Sequence, residues 1–149
     1  MKKIIILVAF LFAICTAVQA AEGLITKTSS HSVKQTMDRL EKIVRDKGFI
    51  VAARVNHAAA AIQSGATLRP TEVLIFGNPK LGTVLMQSNQ TIGIDLPIKV
   101  LVWEDDKGVV TLGYNDPAWL AKRHAITDRD KAFAKMAGAL DTFSNAAVK

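Results

Sequence analysis

The sequence predicts an α+β fold, an antiparallel sheet of about five strands with helices packed on one of its faces. Three observations carry that prediction. Two long stretches, one beginning at Ser32 and one near Thr127, repeat apolar residues at helical spacing. Four short runs rich in β-branched and aromatic residues lie between them, after a first short run near the start. The last two runs are joined by Asp105-Asp106-Lys107-Gly108, a tight turn that forces antiparallel pairing. The resulting order is β-α-β-β-β-β-α.

The segment ahead of these elements reads differently. Met1-Lys2-Lys3 precedes an unbroken apolar run from Ile4 to Cys15, and Val18-Gln19-Ala20 has the form of a signal-peptidase site. Residues 1–20 are therefore read as a signal peptide cleaved after Ala20, and 21–149 as a single periplasmic or secreted domain. The apolar run is shorter than the roughly 18 residues a spanning helix needs, so no membrane association is expected after cleavage. Ile14 stands before Cys15 where a lipoprotein would carry a small residue. Cys15 is the only cysteine, so the mature chain relies on its core and not on disulfides. The formal charge of +6 includes Lys2 and Lys3. The remaining cations alternate with acids (Lys34, Asp38, Arg39, Glu41, Lys42), which describes a solvated helix face and excludes a nucleic-acid partner.

Each element has a local cause. Leu24 to Thr28 is β-branched and forms the first strand. Ser32 and Gln35 have capping-box spacing, and Val33, Met37, Leu40 and Val44 make one apolar stripe, with Ile43 beside it. Gly48 ends that helix as its left-handed residue. Phe49 to Val55 alternates as a strand, with Phe49, Val51, Ala53 and Val55 on one face. Ala58 to Gln63 favours a short helix before Gly65. Glu72 to Phe76 is apolar on both alternating sets, which predicts a central strand covered on both sides. Asn78-Pro79 caps and opens a helix that buries Leu81, Val84 and Leu85, and Ser88 to Gly93 reads as loop. Ile98 to Glu104 and Val109 to Tyr114 form the hairpin. Asp116-Pro117 repeats the cap-plus-proline device ahead of Trp119 and Leu120. Thr127-Asp128-Arg129-Asp130 opens the last helix, whose buried side is Phe133, Met136, Ala137, Leu140 and Phe143.

The words Leu68 to Pro79, which include Phe76-Gly77-Asn78-Pro79, resemble the domain-of-unknown-function 302 family, as do Gly82 to Met86 and Ile94 to Val102, which include Asp95-Leu96-Pro97. The likeness runs from about Ser32 to His124. It implies a curved antiparallel sheet under helices of the TATA-box-binding-protein-like kind (β-α-β4-α), a homodimer, and export in bacteria. No activity comes with it.

The chemistry-bearing residues favour binding over catalysis. There is no Gly-x-Ser-x-Gly elbow, His-Glu-x-x-His pair, phosphate loop or mature cysteine nucleophile. Glu104, Asp105 and Asp106 stand on an exposed hairpin turn, where no displaced pKa is expected. His31, His57 and His124 are mutually distant in sequence, so no metal and no cofactor is expected; a metal-binding role remains a third-ranked alternative. The leading expectation is a non-catalytic module that takes a small apolar or amphipathic ligand between sheet and helix. Small residues (Ala58 to Ala61, Gly65, Gly77, Gly82, Gly93) leave room for it, and His57, Arg69, Asn78 and Asp95 orient it. The alternative is a homodimeric interaction module without a ligand, with Trp103 or Tyr114 of the hairpin at its interface.

Overall fold

The computed structural model describes residues 21–149; the expected signal segment, 1–20, lies outside the described residues. The elements are β1 (Leu24–Thr28), α1 (Val33–Asp46), β2 (Ile50–Asn56), α2 (His57–Gln63), β3 (Thr71–Gly77), α3 (Pro79–Ser88), a short 3-10 turn (Gln90–Ile94), β4 (Ile98–Glu104), β5 (Val110–Asn115), α4 (Pro117–Arg123) and α5 (Asp130–Val148). The strands form one open sheet in the order β1-β5-β4-β3-β2, with every neighbouring pair antiparallel.

Local signals account for most boundaries. Ser32 accepts from the Gln35 N–H while Gln35 reaches back to the Ser32 N–H, a complete capping box. The predicted stripe of α1 is buried along its whole length, with Val33, Met37, Leu40 and Val44 between 0% and 3% exposed. Gly48 takes φ +75° and turns the chain into β2, a conformation open to glycine at little steric cost. Asn78 caps α3 through the Lys80 N–H, and Asp116 caps α4 through the Ala118 N–H, each ahead of a proline that needs no donor.

The core lies between one sheet face and the pair α1 and α5. Leu74 and Phe76 of β3, Ile98, Val100 and Val102 of β4, and Val110, Leu112 and Tyr114 of β5 face the helices. Phe133, Met136, Leu140 and Phe143 of α5 meet them. Polar ties fix the helices in place. Lys27 of β1 bonds Asp141 and Asn145 of α5, each at 2.7 Å. Arg39 of α1 donates to the Ala147 and Ala146 carbonyls at the α5 C-terminus, where a cation also complements the helix dipole.

Several expectations need correction. β3 is covered on one side only: Leu74 is buried on the face that α1 covers and Phe76 meets Phe143 of α5, whereas Val73 and Ile75 are half-buried on the opposite face. The alternation of β2 breaks at a bulge between Val51 and Ala53. Val51 pairs with Phe76 and joins the core, while Ala53 and Val55 pair with Ile75 and Val73 on the open face. Tyr114 is 3% exposed on the core face and cannot form an interface. Val84 of α3 is exposed and not buried, and part of the expected loop from Ser88 to Gly93 is the 3-10 turn, capped by Asn89 through the Thr91 N–H. α5 starts at Asp130 without a side-chain cap, because Asp128 is drawn to Ser88 and Arg129 instead. Asp105 accepts from the Val109 and Lys107 N–H groups, and those bonds hold its carboxyl below the usual range.

Candidate functional site

The N-terminal end of α3 stands away from the sheet and leaves an apolar cavity of about 400 Å³. Its walls come from the β2 entry (Phe49, Ile50, Ala52), the β3 end with the α3 start (Phe76 to Pro79), the α3 face (Leu81, Gly82, Met86), the segment Leu96 to Ile98, and α5 (Lys135, Met136, Ala139, Leu140, Phe143).

The geometry follows from the sequence around each wall. The bulge in β2 releases Ala52 from pairing and places it at the cavity rim. Phe49 stands edge-on to Phe143 at 5.2 Å and to Phe76 at 6.1 Å, so three rings brace one another and form the floor. Gly82 is helical, and a Cβ there would meet Leu96 and Met86 at 3.8 and 3.9 Å, both on the cavity wall; the missing side chain is part of the empty volume.

Polar groups are few. Asn78 uses its side-chain oxygen to cap α3, and Thr83 and Lys135 are exposed toward the rim. No Asp or Glu lines the cavity.

The four residues expected to orient a ligand do not converge. Asn78 lines the cavity. His57 is exposed as the first residue of α2. Arg69 is exposed and donates to the Glu104 carbonyl at 3.2 Å. Asp95 lies behind the 3-10 turn, where it accepts from His124 at 2.6 Å and pairs with Arg123 at 3.3 Å. Of the small residues expected to leave room, Gly77 and Gly82 line the cavity, whereas Ala58 to Ala61, Gly65 and Gly93 do not. The aromatic floor and Lys135 were not among the expected site residues. Phe49 and Phe76 read as strand residues and Phe143 as the helical spacing of α5, all of them core signals that give no hint of a void beside them.

His124 is buried at the C-terminus of α4. Its Nδ1 lies 2.9 Å from the Thr91 hydroxyl and its Nε2 faces Asp95, while Asn89 donates to its carbonyl at 2.8 Å. These bonds latch the 3-10 turn to α4 and so hold Leu96 and Pro97 at the cavity wall. Among the described residues no three His, Cys, Asp or Glu side chains gather as a metal site.

Comparison with known proteins agrees with this fold. A family model described as "Domain of unknown function DUF302" matches residues 25–143. The chain is 53% identical over 104 residues to "Fluoride-specific ion channel FluC 1" of Brucella suis, covering 70% of this chain and 41% of that protein. The same identity and length are found with "Fluoride-specific ion channel FluC 1" of Brucella abortus, of which 38% is covered. The chain thus spans about two-fifths of the length of these curated relatives. A crystal structure of an "uncharacterized conserved protein DUF302" from Bacillus stearothermophilus superposes with a TM-score of 0.67 at 22% identity, covering 86% of this chain and 97% of that one. At that identity the likeness concerns the fold.

Proposed function

The chain belongs to the DUF302 family, and from that premise we propose an exported, non-catalytic module that binds a small apolar or amphipathic ligand between sheet and helices. The observation that carries the reading is the cavity itself, about 400 Å³ and walled by Phe49, Phe76, Leu81, Met86, Leu140 and Phe143. Its volume falls in the range of ligand pockets, and its lining, mostly apolar with a few polar groups at the rim, is theirs too. Export rests on the pattern of Lys2, Lys3 and the apolar run behind them.

A ligand that binds only the folded state raises stability by about 2.7 kcal/mol at one hundred times its Kd. Protein purified from the periplasm, studied by native mass spectrometry and thermal shift, is expected to retain a small molecule or to gain several degrees in Tm with a lipid-like compound. Gly82→Leu is the matched control. It projects into the cavity and removes the helix cost of glycine, up to about 1 kcal/mol, so the variant should be no less stable than wild type yet lose the ligand-induced shift. A shift that survives Gly82→Leu would place binding elsewhere.

A second reading, a homodimeric interaction module, is favoured by the open face of the sheet. The register puts Val55, Val73 and Leu101 in one row across three strands, and the Trp103 ring lies over Gly113, where a Cβ would approach it to 3.0 Å. The curated relatives also carry sequence of this kind within longer proteins. No helix among the described residues is long and apolar enough to cross a membrane. Trp103→Glu discriminates the two readings. If the open face pairs two copies, light scattering should show monomer after the change; ligand binding on the opposite face should persist. A wild-type monomer, or a dimer indifferent to Trp103→Glu, removes this second reading.

A further inference from the structure

The cavity has one charged group on its wall, Lys135, and that cation has no partner. Lys27, Lys34 and Lys42 each meet an acid within 2.7 Å. Lys135 makes no ion pair or hydrogen bond among the described residues, and the positions one helical turn away on α5 are Lys131 and Ala139. Asn78, also on the cavity lining, has spent its oxygen on the α3 cap, which leaves its amide N–H₂ as a donor. A cavity with an apolar floor, a cation and an amide donor at its rim, and no carboxylate is complementary to a molecule with an apolar tail and a negative head.

Resting on the ligand-binding reading, we propose that the cavity takes a single-chain amphiphile with an anionic head, its tail on Phe49, Phe76 and Phe143 and its head between Lys135 and Asn78. The tail supplies most of the affinity, since each buried methylene contributes and the rim is wet. The head supplies the choice among amphiphiles, through an ion pair and a charge-assisted hydrogen bond.

Three probes of one chain length separate head from tail: decanoate, decanol and decyltrimethylammonium, titrated calorimetrically below their micelle-forming concentrations. Wild type is expected to prefer decanoate over decanol by about three- to fivefold at low salt, the worth of a solvent-exposed ion pair, and to bind the cation weakest. The preference should shrink in high salt. Lys135→Gln should lose most of the preference for decanoate over decanol, keeping only what the Asn78 hydrogen bond supplies, and Lys135→Glu should invert the order of decanoate and the cation. Lys135 is exposed, so neither change threatens the fold. Equal binding of decanoate and decanol by wild type, or a preference that Lys135→Gln leaves intact, overturns the anionic head while the cavity reading stands. No binding of any of the three overturns both.

Discussion

Replacing Arg54 with methionine is expected to cost the domain about 2–3 kcal/mol, the largest effect of any substitution outside the hydrophobic core. Arg54 lies on edge strand β2, under α1, with a quarter of its side chain exposed. Its Nε and Nη2 both donate to one oxygen of Glu72 at 2.7 Å, and its Nη1 donates to Asp38 at 2.6 Å and Glu41 at 3.3 Å. Glu72 is 6% exposed, and the other partner of its carboxylate is the Asn56 amide at 3.4 Å. Removing the guanidinium leaves a buried carboxylate without a counter-charge, a loss of about 3–5 kcal/mol in a fully buried pair. The partial exposure of Arg54 brings the figure down. Replacing both residues, Arg54→Met with Glu72→Leu, should recover most of the loss, because two apolar groups leave nothing charged to desolvate.

The same network sets a pH dependence. The carboxyl of Asp38 is held below its ordinary value by its bonds to Lys34 and Arg54. Arg45, ahead of Arg54, does the same for Glu41. Burial alone would lower the Arg54 pKa, but its bonds to Asp38 and Glu72 outweigh this and raise it. Carboxyls depressed in the folded state contribute stability above their unfolded values, and that contribution drains away as pH falls through the lowered folded values. Wild type should therefore lose stability below about pH 4.5. Without Arg54 the two carboxyls are depressed less, so the gap between wild type and Arg54→Met should narrow as the solution is acidified. Urea midpoints across pH 3–7 would measure it; a gap constant with pH contradicts the coupling.

Phe143→Ala should destabilise by about 3 kcal/mol, the low end for a large aromatic in a core. Phe143 is 5% exposed and is the edge-on partner of Phe49, also facing Phe76 at 6.5 Å. One side of its ring already faces the cavity, so fewer packing contacts are lost than at a fully enclosed position. Truncation merges the new void with the existing one. The variant should then take up a bulkier apolar probe than wild type, and a saturating aromatic such as indole should restore part of its lost Tm. A Phe143→Ala protein that unfolds at lower temperature and gains nothing from such a probe would show that the void collapses.

The sheet and its helices were legible in the sequence because their signals are local. The stripe from Val33 to Val44 repeats with the helix, Asn78-Pro79 and Asp116-Pro117 announce two helix starts, and Gly108 marks the hairpin turn. The faces of the sheet were less legible. The apolar residues on both sides of β3 implied two covered faces, but Val73 and Ile75 lie beside Val55, Leu101 and Trp103 on an open one. Nothing in the composition of Phe49 to Val55 marks the bulge, since it is a property of the pairing with β3. The site was half legible. Gly77, Asn78 and Gly82 belong to the motif words and line the cavity. His57, Arg69 and Asp95 were grouped with Asn78 by chemistry alone, and the fold assigns Asp95 to His124, a partner 29 residues away that becomes adjacent only through the 3-10 turn.

The central claim, that the ligand sits in the cavity, is tested most directly by methyl NMR of methionine-labelled protein titrated with decanoate. Met86 and Met136 line the cavity, whereas Met37 is fully buried on the core face of α1 and serves as the internal control. The Met86 and Met136 methyl signals are expected to move and saturate together, with Met37 and the Trp103 indole N–H unmoved. Saturating decanoate that leaves Met86 and Met136 in place, or that moves only Trp103 on the open face of the sheet, would contradict it.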